Sequence, residues 1–380
     1  MANSREILLK LIRMAMGWET DFLLPQDVDW MEVLNMASEQ CVEAIALDGL
    51  DAYMANNPQA ASPIKTLEYK KPMLDAIWHL NLVEFEFLHH LSALVTLSEI
   101  LHNNNIPFLI MKGFACGQYY PISKHRTCGD IDIFPGDQFD ESNQAIKDAG
   151  IEVEPYYYRH SAATINDVMV ENHKILCDLR GPRRQTKAFE AHLKAEAQRS
   201  IESGKEVVIE GHKIEGARFP LANFNALFLP WHVSAHFAFE RVTLRHLLDW
   251  ALFLVHDGKD IDVMMFREAK SKYTYGYSKL ADILTNLSMR YLKMPAGDVP
   301  LEILEDAINF DEELADKVFD YMFVGQPRER DENVWKFRWN NVRRVWKERW
   351  KYKEVYNQSV LNFLCHKAIG VFFKVGEDEK

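Results

Sequence analysis

Two carboxylates, Asp130 and Asp132, stand one residue apart in the segment Gly129-Asp130-Ile131-Asp132-Ile133-Phe134. On a strand alternate side chains share a face, so the two acids point the same way, roughly 6 to 7 Å apart, while Ile131 and Ile133 turn to a core. Such a pair suits Mg²⁺ or the similar Mn²⁺. Mg²⁺ takes one or two protein carboxylates, keeps waters and completes its shell with nucleotide phosphates. Just upstream, the apolar run Leu109-Ile110-Met111 leads into a turn at Lys112-Gly113, a short helix from Phe114 to Tyr120 and a polar loop holding Arg126. Lys112 and Arg126 are candidate phosphate partners. Gly113 is placed to let phosphate approach the backbone at a helix start, and Gly129 opens the acidic strand.

The block Lys112-Gly113, Tyr120-Pro121, Arg126 and Gly129-Asp130-Ile131-Asp132 resembles an uncharacterised nucleotidyltransferase family of the DNA polymerase beta superfamily. The likeness runs more loosely from about Trp30 to Asp249. It implies a nucleotide site made of a strand, a helix with a small-residue N-terminus and the Asp-x-Asp strand, with a third carboxylate on a strand alongside. The family shows an acid two residues before a histidine, which Glu171 and His173 match. Asp178, at the end of Ile175-Leu176-Cys177-Asp178, is the competing third acid, with Arg180, Arg183 and Arg184 close by in sequence. His173, Asp178, His232, His236 and Asp249 are candidates for substrate contact. His232 and His236 are spaced i, i+4, which can hold a metal, but Val233 stands where a His-Glu-x-x-His metalloprotease carries glutamate.

The activity implied is metal-dependent transfer of a nucleoside monophosphate from a nucleoside triphosphate such as ATP to a hydroxyl acceptor. Asp130, Asp132 and Glu171 would hold the metal, and Lys112, Gly113, Arg126 and Gly129 would hold the nucleotide. The chain departs from many superfamily members, which carry Gly-Ser at the helix start, by placing Lys112-Gly113-Phe114 there. Two alternatives remain at this stage: a catalytically degenerate binding or scaffold protein of the same fold, and a toxin-type transferase acting on tRNA.

A chain of 380 residues has room for two or three domains and a large core. Its 48% apolar residues fit an ordinary globular protein, and a net charge of −12 argues against bulk nucleic-acid binding. Five scattered cysteines lack a Cys-x-x-Cys pair and signal neither a cysteine zinc site nor a disulfide framework. Residues 4–16 predict a helix capped by Ser4 rather than a signal peptide, and no apolar run approaches the ~20 residues of a membrane span. The expected compartment is therefore cytoplasmic.

Around the acidic strand the pattern predicts an α+β protein, a small mixed-sheet nucleotidyltransferase core with helical flanks. The expected division is 1–104 helical, 105–218 core and 219–380 helical. Trp30, Val33, Leu34, Ala37, Cys41 and Ile45 form one helical stripe, and a long helix from about Pro72 runs to Asn103-Asn104-Asn105. Residues 137–149 predict a helix stopped by Gly150. Residues 153–158, 162–165 and 168–173 predict strands, the last two joined by an Asn166-Asp167 turn, and 206–214 a hairpin turning at Gly211. Trp335, Trp339, Trp346 and Trp350 alternate with basic residues near the C-terminus. Docking of that tryptophan face on the protein is favoured over binding to a single strand or a membrane surface.

Overall fold

The computed structural model describes residues 3–59, 68–156, 159–177, 183–239, 241–324 and 343–362. Four helices come first: α1 (Ser4–Ala15), α2 (Trp30–Glu39), α3 (Glu43–Asn56) and the 34-residue α4 (Lys70–Asn103). The first helix starts one residue earlier than the proposed Ser4 cap requires. Asn3 is the cap, its side-chain oxygen accepting from the Arg5 and Glu6 amides, and the Ser4 hydroxyl donates instead to Glu32. The stripe from Trp30 to Ile45 also belongs to two helices, because Cys41 adopts φ +57° and turns the chain between them. Asp29 caps α2 through the Glu32 amide.

The central region alternates strands and helices: β1 (Phe108–Met111), α5 (Gly113–Gly117), β2 (Ile131–Phe134), α6 (Phe139–Asp148), β3 (His160–Ile165), β4 (Val168–His173), α7 (Arg183–Ser203), β5 (Glu206–Ile209) and β6 (His212–Arg218). The six strands form one mixed sheet in the order β3-β4-β2-β1-β6-β5. β2 runs antiparallel to β1 and parallel to β4, and β1 runs parallel to β6. Asn166 and Asp167, both at positive φ, make the tight β3–β4 turn. Glu210 and Gly211 do the same for β5–β6. The expected strand at 153–158 reduces to a single bridge from Val153 to Ala163, with residues 157–158 outside the described residues.

Strand alternation divides the sheet into a covered apolar face and a chemical face. Phe108, Ile110, Ile131, Ile133, Val168 and Val170 pack with Leu94, Leu97 and Leu101 of α4 and with Ala145 and Ile146 of α6. Asp132, Glu171 and His173 point the other way, as the period of two demands. The C-terminal helices follow: α8 (Ala222–Phe239), α9 (Leu244–Asp257), α10 (Val263–Lys272), α11 (Tyr277–Tyr291), α12 (Leu301–Ile308) and α13 (Glu312–Met322). Leu109, Met111 and Phe134 join one large apolar cluster with α1–α3, α7 and these helices, so both flanks are continuous with the sheet. The N-terminal half of α4 leaves Leu74, Trp78, Phe85 and Leu88 exposed.

Near the C-terminus, Trp350 packs edge-on against Phe237 and Tyr321, with the Lys317 ammonium over its ring. Trp346 is 55% exposed, so the docked tryptophan face is realised at only one of the two described tryptophans. Trp335 and Trp339 lie outside the described residues. Among the described residues no helix is long and apolar enough to cross a membrane.

Candidate active site

The strand register brings the acids together. Asp132 of β2 is the direct partner of Glu171 on the parallel strand β4, and Met111 of β1 flanks Asp132 on its other side. Asp130 lies just before β2 on the same side-chain parity as Asp132. One carboxylate oxygen from each of Asp130, Asp132 and Glu171 lies within 4.8 Å of the others. Asp132 is almost wholly buried, whereas Asp130 and Glu171 are partly open. Asp178, the competing third acid, lies outside the described residues, as do Arg180 and the Arg183 side chain.

Three like charges at this spacing need compensation, and the chain supplies it unevenly. Lys112 Nζ lies 2.5 Å from Asp132 Oδ1, and His173 Nε2 lies 2.8 Å from the same oxygen and 3.3 Å from Glu171. Burial works against the ionised Asp132, yet Lys112 and His173 hold its carboxyl well below the usual range. Burial also opposes charge on His173, but the hydrogen bonds to Asp132 and Glu171 hold its imidazole above the ordinary value. Among the described residues no hydrogen bond or ion pair reaches the Asp130 carboxyl, although Lys112 and His173 act on it from further off. Repulsion from Asp132, reinforced by burial, pushes its carboxyl up to about 6. Three carboxylates so close that they raise the cost of one another's ionisation form a donor set for a hard divalent cation. The residues present therefore fit Mg²⁺ or Mn²⁺ at Asp130, Asp132 and Glu171.

Lys112 occupies a costly backbone position. Its φ of +49° and ψ of −123° lie in territory that favours glycine, at the turn from β1 into α5. The following Gly113 is required sterically, because a Cβ there would stand 2.8 Å from Cys128 Sγ. A Cβ at Gly129 would meet nothing within 4 Å, leaving open space at the entry to the acidic strand.

Arg126 is engaged within the protein. Its Nε and Nη2 donate to the two Asp249 oxygens at 2.8 and 2.7 Å, and Tyr120 Oη donates to Asp249 Oδ1 at 2.8 Å. Both ends of the Tyr120–Arg126 loop are thus fastened to α9. Next to Arg126, His125 bridges Asp48 of α3 and Glu84 of α4. Asp249, a candidate for substrate contact, serves this buried pair. His160, which no local sequence pattern singled out, comes from β3 to within 3.4 Å of Glu171. Only its place opposite His173 in the β3–β4 register could have signalled it. Further along the same side, His232 and His236 of α8 gather with His246 of α9.

A family model described as an uncharacterised nucleotidyltransferase matches residues 26–274. The chain belongs to this family. The matched span takes in α2 through α10, and with it the acid triad, Lys112, the Arg126–Asp249 pair and the three α8–α9 histidines. The nucleotidyltransferase fold is therefore an α+β sheet with helical flanks on both sides in sequence. No curated protein and no solved structure shows significant similarity to the chain.

Proposed function

We propose that the protein transfers a nucleoside monophosphate from a nucleoside triphosphate to a hydroxyl acceptor, with Mg²⁺ or Mn²⁺ held by Asp130, Asp132 and Glu171. The observation that carries this is the meeting of three carboxylates, from positions 130, 132 and 171, within 4.8 Å on a sheet face backed by the family's motif. Bound divalent ions would supply charge neutralisation for the triphosphate and would acidify the attacking hydroxyl.

The chain's own residues do the rest. Asp132 is the fixed member, clamped by Lys112 and His173 through the one oxygen Oδ1. Glu171, held ionised by its hydrogen bond to His173 against the cost of burial, takes the acceptor proton. The acceptor oxygen bonds to the α-phosphorus as the bond from that phosphorus to the β-phosphate bridging oxygen breaks, and pyrophosphate leaves with the electron pair. Lys112, released from Asp132 when cations take the acids, turns its ammonium to the phosphates. Arg126 holds the loop in place from its pair with Asp249 and does not itself neutralise phosphate. Gly129 opens the space beside Asp130.

Calorimetry with each of the four nucleoside triphosphates, with and without Mg²⁺, tests the binding half of the proposal. Metal-dependent binding that disappears in Asp130→Asn/Asp132→Asn supports it, and unchanged binding in that variant removes it. α-Labelled triphosphate in host extract tests the transfer half. Lys112 seated on Asp132 is what a degenerate, nucleotide-binding scaffold would also show, and binding without any transferred label would identify that case.

A further inference from the structure

Three histidines outside the acid triad converge on one point. His232 and His236 stand one turn apart on α8, and His246 reaches them from the first turn of α9. Their ring centroids are separated by 4.5, 5.0 and 6.0 Å. One ring nitrogen of each lies within 4.8 Å of those of the other two. Three imidazoles bound to one tetrahedral zinc through Zn–N bonds of about 2.0 to 2.1 Å place their ring centres roughly 5 Å apart. The observed triangle already has that size.

His246 adds an independent observation. Its residue is 6% exposed, and its Nε2 has no hydrogen-bond partner among the described residues. A buried imidazole nitrogen left this way costs about 1 to 3 kcal/mol, which packing of three rings does nothing to offset. The other nitrogen, Nδ1, accepts from the Thr243 amide at 3.1 Å and lies 3.0 Å from Thr243 Oγ1. That contact locks the ring plane. Because Nδ1 accepts from that amide, the neutral ring carries its proton on Nε2; metal binding at Nε2 would move the proton to Nδ1, which would then donate to Thr243 Oγ1, the kind of fixed acceptor that commonly orients a metal-bound histidine.

We propose that His232, His236 and His246 form a zinc site, distinct from the acid triad, in which three imidazoles leave a fourth coordination position open. The donor set selects the ion: all-nitrogen ligation suits Zn²⁺ and its transition-metal neighbours, and not Mg²⁺ or Ca²⁺, which take oxygen. His232 and His236 are only partly buried, so the open position lies on their side and is filled by water or a substrate oxygen. The nearby cations do not forbid a dication. Lys112 is paired with Asp132 and Arg126 with Asp249, and the Arg245 guanidinium is turned to Thr127. Zinc here would tie α8 to α9, the helix whose Asp249 anchors the Arg126 loop, and so couple the histidine site to the acid site mechanically.

The test uses the full chain, stripped with a chelator and titrated with Zn²⁺ against a chromophoric competitor. It does not depend on the transferase proposal. The expected result is one tight Zn²⁺ per chain, retained in Asp130→Asn/Asp132→Asn and weakened at least about 100-fold in His236→Ala, with a loss of about 10- to 100-fold in Thr243→Ala. No tight zinc in the wild-type chain, zinc retained in His236→Ala, or zinc lost in the acid double variant would each overturn it. X-ray absorption on the zinc-loaded wild-type chain decides the matter without any variant. A shell of three imidazoles supports the site, and an oxygen-dominated shell refutes it.

Discussion

Lys112 Nζ and Asp132 Oδ1 are 2.5 Å apart, so the most buried carboxylate of the acid triad is neutralised by a lysine that itself sits in a glycine-like backbone conformation. Strain of that kind, typically 1 to 3 kcal/mol, persists where the side chain is needed. On the proposed function the ammonium stands in for a cation and would have to move for divalent metal to reach Asp132.

Replacing Lys112 should therefore separate metal from nucleotide. Lys112→Ala is expected to bind Mg²⁺ more tightly, because no ammonium competes for Asp132, and to bind triphosphate about 10-fold or more weakly for want of the phosphate partner. Without metal it should lose about 1.5 to 3 kcal/mol of stability, because buried Asp132 then keeps only His173 as its partner. Lys112→Gly should recover roughly 1 to 3 kcal/mol of that loss by relieving the backbone. Calorimetry and urea unfolding of the two variants measure all three effects. Equal Mg²⁺ affinity in wild type and Lys112→Ala would mean that the lysine and the metal do not share Asp132.

Asp130 sets the pH dependence. Its folded pKa is raised from 3.8 to about 6 by Asp132 first and burial second. The folded chain therefore binds more protons than the unfolded chain between those values, and this group's contribution to stability falls as pH rises through the window. In metal-free protein, Asp130→Asn should flatten that fall and raise the melting temperature above neutral pH by about 1 to 3 °C. Metal affinity has the opposite slope, rising with pH through about 6 as the carboxyl loses its proton. Scanning calorimetry and Mg²⁺ titration across the acid range read both slopes; a wild-type metal affinity flat through that range would contradict the assignment.

Glu171 is expected to matter for the rate more than for binding. Glu171→Gln keeps the shape of the side chain and removes the proton acceptor, so label transfer should fall by about 100- to 10,000-fold. Triphosphate affinity in Mg²⁺ should change by less than about 10-fold, because Asp130 and Asp132 remain. If transfer persists at wild-type rate, the acceptor proton goes elsewhere, and His160, 3.4 Å from Glu171, becomes the next group to replace.

What the sequence made legible was local and periodic. The period of two in residues 130–134 placed both aspartates on one face, and the family's acid two residues before a histidine pointed to Glu171, which the register sets opposite Asp132. Asn166-Asp167 and Gly211, residue types that tolerate the positive φ found there, marked both hairpin turns correctly. Partnerships across long stretches of chain were not legible. Lys112 meets Asp132 only because β1 and β2 pair with Met111 opposite Asp132, and nothing in residues 109–113 announces that register. The single helix expected through Ile45 failed because Cys41, an ordinary apolar residue by type, takes a left-handed conformation. His246 escaped notice because its partners are on another helix, with neither spacing nor composition linking them.

Arg126 and Asp249 provide the sharpest contrast between a residue's type and its use. Arginine beside a nucleotide motif suggests a phosphate partner, but its guanidinium is spent on both oxygens of Asp249, and both groups are buried. Asp249→Asn leaves a buried guanidinium half-compensated and should cost about 3 to 5 kcal/mol. The double variant Arg126→Met/Asp249→Leu, which removes both charges and keeps the volume, should be markedly more stable than Asp249→Asn and should show a coupling energy of about 1 kcal/mol or more against the single changes. If Arg126 only positions the loop, the double variant should also retain triphosphate affinity to within about 10-fold, since no phosphate contact has been lost. A much larger loss of affinity in a stably folded double variant, seen by calorimetry beside denaturant unfolding, would return Arg126 to the phosphates and would require the Asp249 pair to open when nucleotide binds.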